Sequence, residues 1–411
     1  MKALYYTQTL PPAGLSGSEK YVRELSATLS HSCENITLVG TNKLGYLKFH
    51  KPDEWASGNI HYIRVKVNPI LESAILPMRV IALRNDRVLR FTYEWKDGLF
   101  HSILKGGHYS RSFRRLRFVH DFDIVHGVAF PTFPLWSAWK KASEYRLPLV
   151  VTPFLHYAAI DDSCPSWMFK ALTFASAVIA VTNSEKQFMV KHNICKEKIR
   201  VVPLGIRLGD WENVDREESR KFLGLDEEVA ILIPNKSFDK GCYDVLQALS
   251  TINLAGKKIV VIMMGAVDAM NERVLKLHYF KLQNRGIRII DVGYVSELKK
   301  MMMFKAADIL AQPSKSDSFG YVYLESWACK MPVIGANVGA IPDVISDNRN
   351  GMIVEFNKPE ILREILEMLI EDRDLRKRLG STGYSEVVKN NNLDTIALRT
   401  MDIYKEVCND P

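Results

Sequence analysis

Short apolar runs alternate with longer amphipathic stretches along most of the chain. Ala3–Tyr6, Ile36–Val39, Ile60–Val65, Ile124–Gly127, Leu149–Thr152, Val178–Thr182 and Ile199–Pro203 are short and mostly apolar, which predicts buried strands. Ser18–Ser30 carries Tyr21, Val22, Leu25 and Leu29 on one stripe and predicts a helix. The theme restarts in the second half. Ala230–Ile233, Lys258–Met264, Ile287–Val292, Ile309–Gln312 and Pro332–Gly335 predict strands, with helices over Tyr243–Ser250, Asp268–Asn284, Ser296–Ala306 and Val322–Lys330. Three helices are expected at the end, over Lys358–Glu371, Asp374–Val388 and Asp394–Asn409.

Apolar strands separated by helices argue for parallel sheets covered on both faces. The pattern breaks near Pro203–Val214, where Leu204-Gly205 and Gly209-Asp210 supply turn chemistry. Two doubly wound α/β domains of similar size are expected, in line with 411 residues at ~100–200 residues per domain. No repeat and no low-complexity linker is visible. With 47% hydrophobic and 25% charged residues, the composition excludes a disordered or fibrous chain. Six scattered cysteines without a C-x-x-C pair exclude a disulfide scaffold and read as buried thiols in a reducing compartment. The N-terminal segment lacks the apolar core of a signal peptide, and no uncharged apolar run reaches the ~18 residues of a spanning helix. The expected location is cytoplasmic, or peripheral at the inner face of a membrane.

The net charge of +8 suggests an anionic partner. It is local. Pro77–His120 holds ten Arg or Lys against Asp86, Glu94 and Asp97, interleaved with residues such as Phe91, Trp95, Phe113 and Phe118. Two readings stand: a pair of surface helices with solvated basic faces, or a basic amphipathic surface for anionic lipid or a charged acceptor.

The candidate chemistry is densest in Pro313–Asp343, PSKSDSFGYVYLESWACKMPVIGANVGAIPD. A polar loop, Ser314–Ser318, follows a strand, and ligands of open α/β sheets sit beyond the carboxyl ends of strands. Phe319-Gly320 opens the next helix, whose free N–H groups favour an anion such as a diphosphate. Asp317 lies in the loop and Glu325 inside the helix, eight positions on. A carboxylate at that second place can accept two hydrogen bonds from a ribose diol, or it can pair with a core cation. A second strand-to-helix turn, Ile233-Pro-Asn-Lys236-Ser-Phe-Asp-Lys240-Gly241, offers two cations suited to a diphosphate. The alternative there is a solvated lysine pair.

These windows resemble the retaining glycosyltransferase family 4 of GT-B architecture. The family signature is an acid, seven residues and Glu, with Phe-Gly after the first acid and Pro-Val after the helix. Here it reads Asp317-Ser-Phe-Gly-Tyr-Val-Tyr-Leu-Glu325, with Asp where the family most often has Glu. The resemblance implies that Asp317 touches the donor sugar's hydroxyls and that Glu325 binds the nucleotide ribose. Ser318, Phe319 and Gly320 would complete that donor loop. Lys240-Gly241 matches the family's Lys-Gly, and Lys236 stands near its usual Arg, both facing the diphosphate. Gly14-Leu-Ser-Gly17 resembles its Gly-Gly loop, with Gly17 retained for the donor and Glu19 just beyond on the acceptor side. Thr152-Pro-x-x-His156 matches the active-site His position. His126, at another strand end, is either an acceptor contact or a core histidine.

The resemblance implies two Rossmann-like domains facing a central cleft, 1–205 for the acceptor and 206–388 for the donor. A final helix over 389–411 would cross back to the first domain. It implies retaining transfer from a nucleotide-diphosphate sugar to a glycan or lipid-linked acceptor, catalysed through His156, Asp317 and Lys240, without a cofactor. A metal is not expected either, because lysines can supply the cation's charge. The Asp121–Asp123 and Asp372–Asp374 triplets lie far from the donor window. Alternatives are a phosphorylase or epimerase on the same architecture, or a nucleic-acid binder using Pro77–His120. The phosphate-binding constellation speaks against nucleic acid as the partner.

Overall fold

The computed structural model describes residues 1–10, 16–45, 48, 49, 51, 53–67, 113, 116, 121–130, 132–157, 169–254, 256–267 and 269–409. Most of the basic run Pro77–His120, and Gly14, lie outside the described residues. The chain divides into two units, Met1–Leu204 with Leu393–Pro411, and Gly205–Asn392.

The first unit runs β1 (Lys2–Thr9), α1 (Gly17–Leu29), β2 (Asn35–Thr41), β3 (Lys43–Gly45), β4 (Lys48–Phe49), β5 (Asp53–Ser57), β6 (Ile60–Val65), β7 (Ile124–Val128), α2 (Phe133–Tyr145), β8 (Leu149–Thr152), α3 (Lys170–Phe174), β9 (Ala177–Ala180), α4 (Asn183–Lys191) and β10 (Ile199–Val201). Its main sheet has the order β10-β9-β8-β7-β1-β2-β6-β5. The strands are parallel except β5, which pairs antiparallel with β6. The central β1 sets Tyr5 opposite Leu38 on one side and His126 on the other. Its residues from Ala3 to Tyr6 are at most 1% exposed, as a strand covered on both faces requires.

The hairpin partner β5 is not visible as apolar alternation, because Asp-Glu-Trp-Ala-Ser is polar at a sheet edge. Pairing holds it: Trp55 stacks on Tyr62 at 4.8 Å and Arg64 bonds Asp53 at 2.8 Å. Helix α2 is also unpredicted. Pro134 falls in the first turn, where it costs no hydrogen bond, and Thr132 caps the end by accepting the Leu135 N–H at 3.3 Å.

The second unit runs α5 (Leu208–Glu212), α6 (Arg216–Phe222), β11 (Val229–Ile233), α7 (Cys242–Thr251), β12 (Ile259–Met264), α8 (Ala269–Gln283), β13 (Arg288–Gly293), α9 (Glu297–Ala306), β14 (Ile309–Ala311), α10 (Tyr321–Ala328), β15 (Val333–Ala336), α11 (Ile341–Val344), β16 (Gly351–Val354), α12 (Pro359–Glu371) and α13 (Arg373–Asn390). Its sheet is parallel throughout, in the order β13-β12-β11-β14-β15-β16. Strands β11, β12 and β14 are wholly buried among residues such as Leu246, Leu249, Leu366 and Leu369.

The last helix, α14 (Leu393–Asn409), belongs to the first unit and packs along α1. Its Tyr404 is fully buried.

Candidate functional site

In the second unit the strand order reverses between β11 and β14. Ligands of open α/β sheets bind beyond the carboxyl ends of strands at such a reversal. The segments leaving those ends are Pro234–Gly241 and Gln312–Gly320, and they touch. Gly241 takes a φ of +74°, and a Cβ there would stand 2.3 Å from the Pro313 carbonyl oxygen, so only glycine fits. The Lys315 N–H donates to the Asp239 carbonyl at 2.8 Å. Across this contact Lys240 Nζ donates to Asp317 Oδ2 at 2.8 Å and to the Ser316 carbonyl at 3.3 Å. Two residues 77 positions apart are thus an ion pair, partly open to solvent.

Helix α10 begins just after. Gly320 is its N-cap, with a φ of +91°, and no side chain caps this end. The N–H groups of the first turn have no preceding turn to bond to. Phe319 is buried and Ser318 half-buried beside them. One turn on, Glu325 is almost fully buried and Oε1 accepts a hydrogen bond from Lys300 Nζ at 2.8 Å. Lys300 also bonds Glu297 at 3.0 Å. Burial works against the Lys300 ammonium, but the two carboxylates outweigh it and raise its pKa. Sequence reading missed Lys300. The signal was its place one turn before the buried Met303 and Phe304 of α9, a lysine on an inward stripe. Gln312, at the end of β14, is likewise unanticipated. Its side-chain oxygen is buried without a hydrogen-bond partner among the described residues, an acceptor left for something else to satisfy.

Lys236 departs from expectation. It is only 4% exposed, and its ammonium bonds Asp291 Oδ1 at 2.5 Å. Asp291 Oδ2 accepts the Tyr279 hydroxyl at 2.6 Å, and Oδ1 also accepts the Gly293 N–H at 3.0 Å. Burial alone would raise the Asp291 pKa, but these donors lower it. The lysine braces β13, and its charge is spent inside the unit.

In the first unit Gly17 opens α1 and is exposed. The two residues expected at the acceptor are both bonded within the unit. Glu19 Oε2 accepts the Ser16 N–H at 2.8 Å, and Oε1 accepts the Thr9 hydroxyl. It forms a capping box for α1, with both oxygens occupied. Burial raises its pKa against those hydrogen bonds. His126 is fully buried in β7. Its Nε2 meets Thr152 Oγ1 at 2.8 Å and its Nδ1 meets the Tyr404 hydroxyl at 2.5 Å. Burial drives its pKa down to about 3, so it is a neutral core histidine. The chain of polar contacts continues from Tyr404 to the Tyr5 hydroxyl and from Thr152 to the Tyr21 hydroxyl at 3.2 Å.

His156 is different: it lies exposed on the turn that leaves β8. That turn is fixed from below. The Ala129 N–H donates to the Thr152 carbonyl at 3.0 Å and the Phe130 N–H to the Pro153 carbonyl at 2.7 Å. Phe154 takes a left-handed φ of +51°, costly for an aromatic residue, with its ring edge-on to Tyr21 at 5.1 Å. The Leu155 N–H donates to Glu185 Oε1 at 2.7 Å.

One residue of each aspartate triplet holds backbone in place. Asp123 accepts the Lys2 N–H at 2.7 Å, and Asp372 caps α13. A cavity of 390 Å³ beside β13, lined by Phe222, Tyr294, Lys299 and Met303 among others, contains none of the expected site residues.

The fold, with the family matches that follow, defines a glycosyltransferase of GT-B type. Residues 15–209 match the family described as Glycosyltransferase Family 4, and residues 215–386 match Glycosyl transferases group 1. The chain is 31% identical over 308 residues to a D-inositol 3-phosphate glycosyltransferase of Streptomyces bingchenggensis, covering 69% of this chain and 67% of that one. It belongs to the family 4 glycosyltransferases. Among solved structures, sucrose-phosphate synthase of Thermosynechococcus elongatus superposes with a TM-score of 0.76 at 18% identity, over 100% of this chain and 99% of that one. The HepE protein of Anabaena, solved in complex with UDP and glucose, superposes with a TM-score of 0.70 at 17% identity, over 99% and 100%. Both share the fold.

Proposed function

We propose that this protein retains anomeric configuration while moving a sugar from a nucleotide-diphosphate sugar to a glycan or lipid-linked acceptor in cell-surface polysaccharide or glycolipid synthesis. The observation that carries this reading is the Lys240–Asp317 pair, 2.8 Å long, on two touching loops at the strand-order reversal. A donor diphosphate competes for Lys240 and releases Asp317. The freed carboxylate then accepts a hydrogen bond from a sugar hydroxyl, so one exchange neutralises the phosphates and orients the sugar. Glu325, held by Lys300, accepts the ribose hydroxyls. The open N–H groups of α10 at Gly320 add to the stabilisation of the departing diphosphate. That oxyanion takes the acceptor's proton on the face it leaves. His156 meets the donor sugar. Lys240 supplies the positive charge, and no metal is needed.

The UDP and glucose named for the HepE structure support a uridine nucleotide and a hexose as the first donor to test. Among the described residues no helix is long and apolar enough to cross a membrane. The ten cations of Pro77–His120 support peripheral attachment to an anionic membrane.

The test measures release of nucleoside diphosphate with and without acceptor, and the anomeric configuration of the product by NMR. Lys240→Ala should lower turnover with the donor by about a hundredfold. Wild-type turnover and donor affinity in that variant would falsify the donor-site reading. An inverted product would refute retention, and loss of activity in EDTA restored by a divalent cation would refute metal independence. Flotation with anionic and neutral liposomes tests attachment, and binding to neither ends that idea.

A further inference from the structure

Glu185 stands fully buried near the start of α4, away from every residue assigned above except one. Its two carboxylate oxygens go to the backbones of two different connections. Oε1 accepts the Leu155 N–H at 2.7 Å and Oε2 accepts the Val181 N–H at 2.6 Å. Its own N–H is capped by Thr182 Oγ1 at 3.1 Å. One side chain therefore locks the turn after β8 to the turn after β9. A buried carboxylate between two N–H donors is an expensive arrangement, and a fold that needed only to close these turns could use water or a neutral side chain. What the arrangement fixes is the peptide between Phe154 and Leu155, one residue before His156.

The rest of that turn is equally constrained. The carbonyls of Thr152 and Pro153 are taken by Ala129 and Phe130, and residue 153 has no N–H to place. Phe154 sits in the left-handed region, a conformation that persists only where the surroundings over-determine it. The Leu155 N–H is the next backbone donor, and Glu185 is its acceptor. Thr152 through Leu155 are buried, whereas His156 is exposed. The chain is rigid up to the residue that emerges.

We propose that Glu185 is a positioning residue for sugar transfer: by holding the Leu155 N–H against a strained Phe154 turn, it sets where His156 meets the donor sugar. This rests on the assignment of His156 made under the proposed function. Because Glu185 touches neither substrate nor the donor nucleotide's ligands, it acts on the chemical step and not on donor binding. A glutamine of the same shape keeps one acceptor oxygen but turns an NH2 group against the other backbone N–H, so one of the two anchors fails.

Steady-state kinetics on Glu185→Gln, His156→Ala and the double variant test it. Glu185→Gln should lower kcat by about tenfold to a hundredfold, since an ångström of misplacement has that effect, with KM for the nucleotide sugar within about twofold of wild type. Glu185→Asp, which keeps the charge on a shorter stem, should fall between the two. In the His156→Ala background Glu185→Gln should lower kcat no further, because the group it orients is gone. An equal loss in both backgrounds would mean that Glu185 only supports the fold, and the proposal would be wrong. Unchanged kcat in Glu185→Gln beside a damaged His156→Ala would overturn it while leaving His156 in place. Full turnover in His156→Ala would remove the assignment of His156 and this proposal with it. Should the glutamine variant not fold, hydrogen exchange on the wild-type protein decides. The Leu155 amide must be protected as strongly as Val181, and exchange at the rate of an open loop refutes the clamp.

Discussion

Three lysines near the carboxyl edge of the second unit's sheet each face an acid, and burial decides what each one does. Lys236 is enclosed with Asp291, Lys240 shares a partly open pair with Asp317, and Lys300 holds the almost fully buried Glu325. The three substitutions should therefore separate. Lys236→Met leaves Asp291 in β13 without its cation, and a loss of about 1–3 kcal/mol in urea unfolding is expected, reduced from that of a fully enclosed pair because Asp291 is part-exposed. Lys300→Met leaves Glu325 buried without its cation. It should weaken nucleoside diphosphate binding by about tenfold or more in calorimetry while the fold persists. Equal effects of all three on ligand affinity would contradict this division.

His126 gives a pH test. Its folded pKa of about 3 lies below the unfolded value near 6.5, so between these pH values the unfolded chain binds the extra proton. Stability is then fully present above the unfolded pKa and lost as pH falls toward the folded one. His126→Gln should flatten that part of a melting-temperature profile. An unchanged slope would mean that other groups govern the acid limb.

At the scale of elements, α14 returns from the second unit's last residues to pack on α1 and places Tyr404 between Tyr5 and His126. Tyr404→Phe keeps the shape and removes the hydroxyl that both neighbours use. A loss of about 1–3 kcal/mol is expected, since two buried polar groups are left unsatisfied. A melting temperature equal to wild type would mean the network adds nothing. Much at this scale was legible from periodicity. The strands of both sheets other than β5 and β16, and α1, α7, α9, α10 and α14, fall where the apolar pattern put them. What escaped did so for physical reasons. Strand β5 is polar because it lies at an edge, and Pro134 in α2 occupies a turn that a proline does not harm.

For the whole molecule, Lys240, Asp317 and Glu325 belong to one unit, and Gly17 and His156 to the other. A nucleoside diphosphate that binds only the folded protein should raise its stability by about 2.7 kcal/mol at a hundred times its dissociation constant, read as a thermal shift. Lys240→Ala should abolish most of that shift. If UDP and its competitors leave the melting temperature of the wild-type protein unmoved, the donor assignment is wrong at this scale too. The charge is also a molecular property with a local source: ten cations against three acids in Pro77–His120 account for most of the surplus of +8. Lys236, Lys240 and Lys300 add none, because each is already matched by an acid.

The sequence by itself determined the two parallel sheets, the break between them and the Asp317-to-Glu325 motif that carries the family resemblance. Those are written in local terms, as apolar period, turn residues and short motifs. It left His126 open between an acceptor contact and a core histidine, and gave no sign that Glu19 and Lys236 are bonded inside their own units. A strand-end histidine looks the same in sequence whether Tyr404 lies 278 positions away or beside it. Only the tertiary structure decided which polar side chains are buried and spent on each other, and which remain open. Pairing across long separations, Lys240 with Asp317 and Leu155 with Glu185, depends on strand order and loop contact, which no local pattern specifies.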